Sequence, residues 1–266
     1  MLFASGLLAA ERRRRGTRRG RRALGCYRQA VLILRWFLDG TRLAQLAGDN
    51  GIGRSTAYRY LHKGIDVLAA AVPGLRGALL AARAAGHTHV QVDGTLIRTD
   101  RCSVPGPTAR ADGSGRRVDL WWSGKHAAHG GNIQVVTAPD GWPLWVSGVR
   151  PGREHDTSAL RAHAEVLPAL AEWTDEDHAA LGDLGYEGEQ ATVTIPIKRT
   201  ADRPLTDDER TVNALHAATR ALAERGTSLL TTTLKALRRV SLCPWRIGAI
   251  TAAALVLLHQ EHGRTT

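Results

Sequence analysis

The strongest constraint in this sequence is a change of hydrophobic period at about residue 86. Before it, apolar residues recur at three- and four-residue steps, as helices require. After it, His89-Val90-Gln91-Val92-Asp93 alternates polar and apolar, as a strand with one buried face requires. Two patterns in separate blocks predict an all-α domain over 1–86 and an α/β domain over 87–266. The join is the Gly-, Pro- and Ala-rich stretch from Val72-Pro73-Gly74 to Gly86. A chain of 266 residues has room for both and for a real core. Its three cysteines, Cys26, Cys102 and Cys243, are too scattered for a disulfide framework or a zinc ribbon, and they point to a reducing, cytoplasmic setting.

In the first block, Tyr27, Val31, Leu34 and Leu38 predict one apolar helix face. A short helical run over 41–47, a turn at Gly48-Asp49-Asn50-Gly51 and a second helix over 52–61 have the form of a helix-turn-helix. The small Ala47 permits close approach of the helices, and Gly51 can take the positive φ of a tight turn. Ile52, Ala57 and Leu61 are expected inside. Arg54, Ser55, Thr56, Tyr58 and Arg59 are expected outside, where such groups suit phosphates and base edges.

The net charge of +11 is local: residues 1–40 hold ten arginines against Glu11 and Asp39. Arg12, Arg13, Arg14, Arg15, Arg18, Arg19, Arg21 and Arg22 form a basic arm of the kind a phosphate backbone attracts. The plain alternative is a solvated tail. A membrane role is not expected. The apolar start precedes the arginines, the reverse of a signal peptide, and the apolar run at 247–258 is about half a bilayer span and reads as a buried helix.

In the second block we expect strands at 89–93, 118–122, 133–136, 143–146 and 179–183, with a hairpin turn at Pro139-Asp140-Gly141. A loop is expected at 100–115. Helices are expected at 157–170, from a capping box at Thr206-x-x-Glu209 through Leu237, and at 246–259. Trp142 has the alternatives of core packing or stacking on a base.

Carboxylates at strand ends are the main chemical candidates. Asp93 lies in Val92-Asp93-Gly94-Thr95 and Asp183 in Gly182-Asp183-Leu184-Gly185-Tyr186, both among glycines that admit a ligand. Glu224 is expected mid-helix with Arg220 four residues before it on the same face. Two Asp and one Glu from different elements could supply the hard oxygens for a pair of Mg²⁺ ions about 4 Å apart. Each alone reads equally as a turn, cap or surface-pair residue. Asp156, at a loop entering a helix, is a rival second carboxylate or an N-cap.

The wording of these stretches resembles bacterial insertion-sequence transposases of the DDE superfamily, in the insertion-sequence-five and Harbinger-like branch. The likeness runs through Val92-Asp93-Gly94-Thr95, Ser123-Gly124-Lys125-His126 with His129-Gly130-x-Asn132, and Pro151-Gly152-x-x-His155-Asp156. It continues in Gly182-Asp183-x-Gly185-Tyr186, Pro196-Ile197-Lys198-Arg199 and Arg220-x-x-x-Glu224-Arg225. The resemblance implies an RNase H-like catalytic core behind the helix-turn-helix domain. It implies Asp93, Asp183 and Glu224 as a metal-binding triad, with Asp156 as the alternative, and two Mg²⁺ ions, with Mn²⁺ as a substitute. Lys125, His126, Lys198, Arg199 and Arg220 would join the arm in holding DNA.

The implied function is binding of an element's terminal inverted repeats, metal-dependent cleavage and strand transfer into target DNA. That work suits a homodimer or higher oligomer on double-stranded DNA at the bacterial nucleoid. Departures stand at Ala127 and Ala128, Ala217 and Thr231, where the family commonly has basic or Tyr residues. They keep two alternatives open: a DNA-binding protein that has lost cutting, and a structure-selective nuclease of the same core.

Overall fold

The computed structural model describes residues 1–18, 20–109, 111, 113–200 and 202–266. The chain forms two compact units: residues 1–72 with 230–240 and 249–265, and residues 73–229 with 241–248 and 266. The change of period at 86 therefore falls inside the second unit, because the helix before it, α5 (Leu75–Ala84), packs there. Among the described residues no helix is long and apolar enough to cross a membrane.

The first unit is helical. Helix α1 (Leu2–Arg14) buries Ala4 and Leu8, and Arg12, Arg13 and Arg14 form its last turn. The basic arm thus begins as a packed helix, with its cations at the negative end of the helix dipole. Arg19 lies outside the described residues. Helix α2 (Cys26–Asp39) corrects the expected face. It buries Gln29, Ala30, Leu32, Ile33, Trp36 and Phe37, whereas Tyr27 is 54% and Leu38 37% exposed. Both sides of this helix are apolar, so period alone does not choose between them. Gly40, at φ 66, ends α2 in the left-handed conformation that favours glycine.

Helices α3 (Leu43–Asp49) and α4 (Arg54–Ala69) are joined by a turn in which Gly51 has φ +61 and the Ile52 amide donates to the Ala47 carbonyl at 3.0 Å. Ala57 and Leu61 are buried, Ile52 is half-buried, and Arg54, Ser55, Tyr58 and Arg59 are exposed. Gly64 lets α4 close on α2, since a Cβ there would lie 2.2 Å from Ile33 Cδ1.

The second unit is α/β with a mixed sheet. Its strands are β1 (His89–Arg98), β4 (Trp122–Ser123), β5 (Ala128–Thr137), β6 (Pro143–Val146), β7 (Arg150–Pro151) and β8 (Ala179–Leu181). The order is β4-β5-β1-β8, with β6 and β7 also on β5. All pairings are antiparallel except β1 with β8. A separate hairpin, β2 (Pro105–Ala109) with β3 (Arg117–Asp119), occupies part of the expected loop.

Several expected elements are broken. The strand at 118–122 is interrupted at Leu120-Trp121, where Asp119 Oδ1 accepts from the Trp121 amide at 2.9 Å. The helix at 157–170 is two, α6 (Asp156–Arg161) and α7 (Val166–Trp173). The long run after Thr206 is α8 (Asp207–Arg220), α9 (Ala223–Thr233) and a 3₁₀ turn (Lys235–Leu237). The capping box that opens α8 is present as read, Thr206 and Glu209 each bonding the other's backbone N–H. The break between α8 and α9 has a tertiary cause. The hairpin turn at Gly141 presses so close that a Cβ there would meet the Leu222 carbonyl at 1.9 Å.

Candidate active site

The site is built on β1 and the chain segments around it. β1 runs five residues beyond Asp93, so this residue sits mid-strand rather than at a strand end. Its partner across the ladder is Val135, and that of Gly94 is Gln134. Alternation puts Gln91 and Asp93 on one face and Gly94 on the other.

On the first face, buried Gln91 donates through Nε2 to the Thr219 carbonyl at 2.9 Å, which pins the end of α8. The next residue, Arg220, then reaches Asp93, Nη2 to Oδ1 at 3.3 Å. Burial nonetheless pushes the Asp93 carboxyl up to about 6. Arg220 opposes that shift, while Asp183 and, more weakly, Asp156 add to it.

On the second face, Gly94 leaves the space that Asp156 fills: a Cβ on Gly94 would lie 2.1 Å from Asp156 Oδ1. Asp156 is the first residue of α6, and His155 takes the cap position. Its carboxylate is therefore not a helix cap. It accepts from Asn132 Nδ2 at 2.8 Å and from Lys125 Nζ at 3.1 Å. Asn132 Oδ1 accepts from Gln134 Nε2 at 2.9 Å, and Gln134 Oε1 accepts from the Tyr186 hydroxyl at 2.6 Å. Asn132, Gln134 and Tyr186 are buried, so a continuous polar chain runs from the core to the carboxylate. Burial, with the three aspartates nearby, pushes the Tyr186 phenol well up, so it stays a donor.

Asp183 lies two residues past β8 and caps the 3₁₀ turn Leu184–Tyr186, Oδ1 accepting from the Gly185 amide at 2.8 Å. A Cβ on Gly185 would lie 2.7 Å from Asp183 Oδ1 and 3.6 Å from Asp156 Oδ2. Glycine here keeps the approach between the two carboxylates open. Glu224 is not mid-helix. It is exposed in the first turn of α9, four residues past Arg220 but across the break.

Beside Asp156 a cleft of about 470 Å³ opens between Thr95, Trp122, Lys125, His126, Arg153 and Gly185. Lys125 and His126 stand exposed on the turn into β5, where Ala127 has φ 46. Trp122 packs edge-on to His129 at 5.0 Å. Lys198 and Arg199 are exposed in the chain before α8, Lys198 pairing with Glu187 at 2.8 Å. Trp142 is 7% exposed and belongs to the core, which removes it as a stacking platform.

The donors fit a divalent cation by chemistry: they are hard carboxylate oxygens, and burial, with the neighbouring aspartates adding to it, raises one pKa to about 6. Among the described residues no three His, Cys, Asp or Glu side chains form a ready ligand shell. Lys125 and Arg220 supply the positive charge instead.

Reading of the sequence found Asp93, Asp156, Asp183, Lys125 and Arg220 but not Gln91 or Gln134. Their only signal was a polar residue at a buried position of an otherwise apolar strand.

The family model described as DDE superfamily endonuclease matches residues 92–259. No curated protein matches. Among solved structures the chain is similar to "Mos1 transposase paired-end complex with left transposon end", at 11% identity over 88% of this chain and 76% of that one, TM-score 0.23. It is also similar to "Crystal structure of the Mos1 mariner paired end complex with Mn", at 11% identity over 88% and 75%, TM-score 0.22.

Proposed function

This chain belongs to the DDE superfamily endonucleases, and on that premise we propose that it is the transposase of a bacterial insertion sequence. It would bind the element's terminal inverted repeats, cut there and join the freed 3′ end to target DNA. The observation that carries this reading is the gathering of Asp93, Asp156 and Asp183 around β1 beside an open cleft with a cationic rim. The strand order supports an RNase H-like core: β5 and β1 antiparallel at the centre, β8 added parallel.

Asp93, Asp183 and Glu224 form the proposed metal-holding set, with Asp156 as the alternative to Asp183 for the second place. Two divalent ions, Mg²⁺ or Mn²⁺, would when bound activate the attacking hydroxyl and offset charge on the phosphate. The protein's own residues do the rest. The buried chain from Tyr186 orients Asp156. Gln91 positions Arg220 on Asp93. Lys125 and His126 hold the incoming phosphate at the cleft's rim. Positioning and charge are what a phosphoryl transfer needs.

The arm arginines, including Arg19, with Arg54, Ser55, Thr56, Tyr58 and Arg59 on the helix-turn-helix, would hold the repeats. Lys198, Arg199 and Arg220 would contact DNA nearer the cut. Handling two ends calls for a dimer or larger assembly acting at the nucleoid.

The test is incubation of the full chain with end-bearing DNA and Mg²⁺. Cleavage at the repeats, lost in Asp93→Ala, is the expected outcome. Specific binding with no nicking under any divalent ion would replace it with a DNA-binding role. Cutting without preference for the repeats would make the chain a structure-selective nuclease.

A further inference from the structure

We propose that the first unit carries a preformed site for a single phosphate group, built around Lys63 with Arg12, Arg15 and Arg22. These residues line one recess between α1, the chain leading into α2, and α4. Lys63 is the α4 residue among them. This side chain is half-buried, and its ammonium donates to Gln29 Oε1.

Gln29 is itself fixed. It is 1% exposed, and its Nε2 donates to the Leu24 carbonyl at 2.6 Å, so its oxygen is held toward Lys63. The Tyr60 ring lies 5.5 Å from the ammonium. An ammonium carries three donors, and Gln29 supplies one neutral acceptor.

The surroundings are short of negative charge. Glu11, the one acid among the described residues that line the recess, is already engaged by Arg14 and Arg15. Burial pushes the Lys63 pKa down, and the neighbouring Arg22 and Arg15 add to it. A phosphate would supply oxygens to the ammonium and to the guanidinium forks, whose geometry suits it. A metal cation has no place among these donors.

The phosphate has two possible sources, a DNA backbone and a free polyphosphate or nucleotide. The site needs neither the carboxylates nor cleavage, so it stands or falls separately from the nuclease reading.

The experiment titrates pyrophosphate into the full chain by calorimetry, with Lys63→Gln, Lys63→Arg and a variant of the exposed Arg42, Arg42→Ala, alongside. Saturable binding is expected in the wild type, Arg42→Ala and Lys63→Arg, weakened about tenfold or more in Lys63→Gln. Displacement of pyrophosphate by a short DNA duplex assigns the site to the backbone, and persistence assigns it to a free polyphosphate. No saturable binding, or equal binding by Lys63→Gln, overturns the site. Acetylation of wild-type Lys63, read by mass spectrometry, gives a check that no variant can spoil by misfolding. Pyrophosphate should protect Lys63, and equal labelling with and without it overturns the proposal.

Discussion

The carboxylates of the second unit and the arginines of the first are built in opposite ways. Asp156 is held by a buried chain of neutral groups, Asn132, Gln134 and Tyr186, and Asp93 is reached by an arginine that Gln91 sets in place. The arm cations are held by exposed pairs such as Arg14 with Glu11, the Arg14 side chain being 72% exposed. Such pairs contribute about 0–1 kcal/mol. The difference follows from the work each charge would do. Like charges crowded together repel unless a rigid frame holds them, and the frame must be satisfied throughout. Charges meant for a polymer's phosphates need only be presented to it.

This contrast gives measurements in order of size. Asp93→Asn and Asp183→Asn should each lower cleavage of end-bearing DNA by about 10³-fold, on the scale of losing a group aimed at developing charge. Binding of the same DNA should change little, and a matching loss of binding would merge the two regions' roles. Asp156→Asn set against Asp183→Asn decides the second carboxylate by whichever loses Mn²⁺ binding, and Glu224→Gln tests the third. Next, Asn132→Ala should cost about 10–100-fold in activity or metal affinity, as loss of an orienting partner does. If activity stays at wild-type level, the buried chain serves packing only.

Asp93→Asn also reports on stability, with a definite sign. The folded carboxyl titrates near 6, above the ordinary Asp range, so the folded state holds this proton more tightly than the unfolded state. Stability linked to this group is present at low pH and lost as pH rises through about 6. Removing the charge should therefore stabilise the chain above that pH by about 3 kcal/mol. The gain should shrink as pH falls from about 6 and be gone below pH ~4. Urea unfolding with a chelator present measures it. A variant that is inactive yet more stable separates the site's chemistry from its fold. A pH-independent difference would show that Asp93 is not strained by its surroundings.

The sequence exposed what is local and hid what is tertiary. The change of period at 86, the Thr206 capping box and the turn at Gly141 rest on neighbouring residues and are in the structure. The break before Glu224 depends on a hairpin some eighty residues earlier in the chain, so the 206–237 run reads as one helix. The face of α2 was hidden because Val31 and Leu34 are as apolar as Ile33 and Phe37. Their side instead lines an open recess with Met1, Leu2 and Leu257. At the site, the aspartates stood out among glycines. Gln134 did not, because its role depends on lying opposite Gly94, a fact of strand register.

The smallest expected effect concerns the arm, and here the structure changes the experiment. Deleting residues 1–22 would remove buried Ala4 and Leu8 and unravel the unit, so lost binding would say nothing about charge. Single substitutions on α1's last turn avoid this. Arg13→Ala should weaken DNA binding uniformly across sequences and lower the slope of log K against log salt by about 1 if it meets one phosphate. Glu11→Gln should do the reverse, because it releases Arg14 and Arg15 from the carboxylate they now share. Paired opposite shifts, read by salt-dependent fluorescence anisotropy, would mark the arm as the electrostatic grip. Were neither slope to move, the arginines would be solvated surface on a helix kept for its buried face, and the contrast with the carboxylates would be one of packing alone.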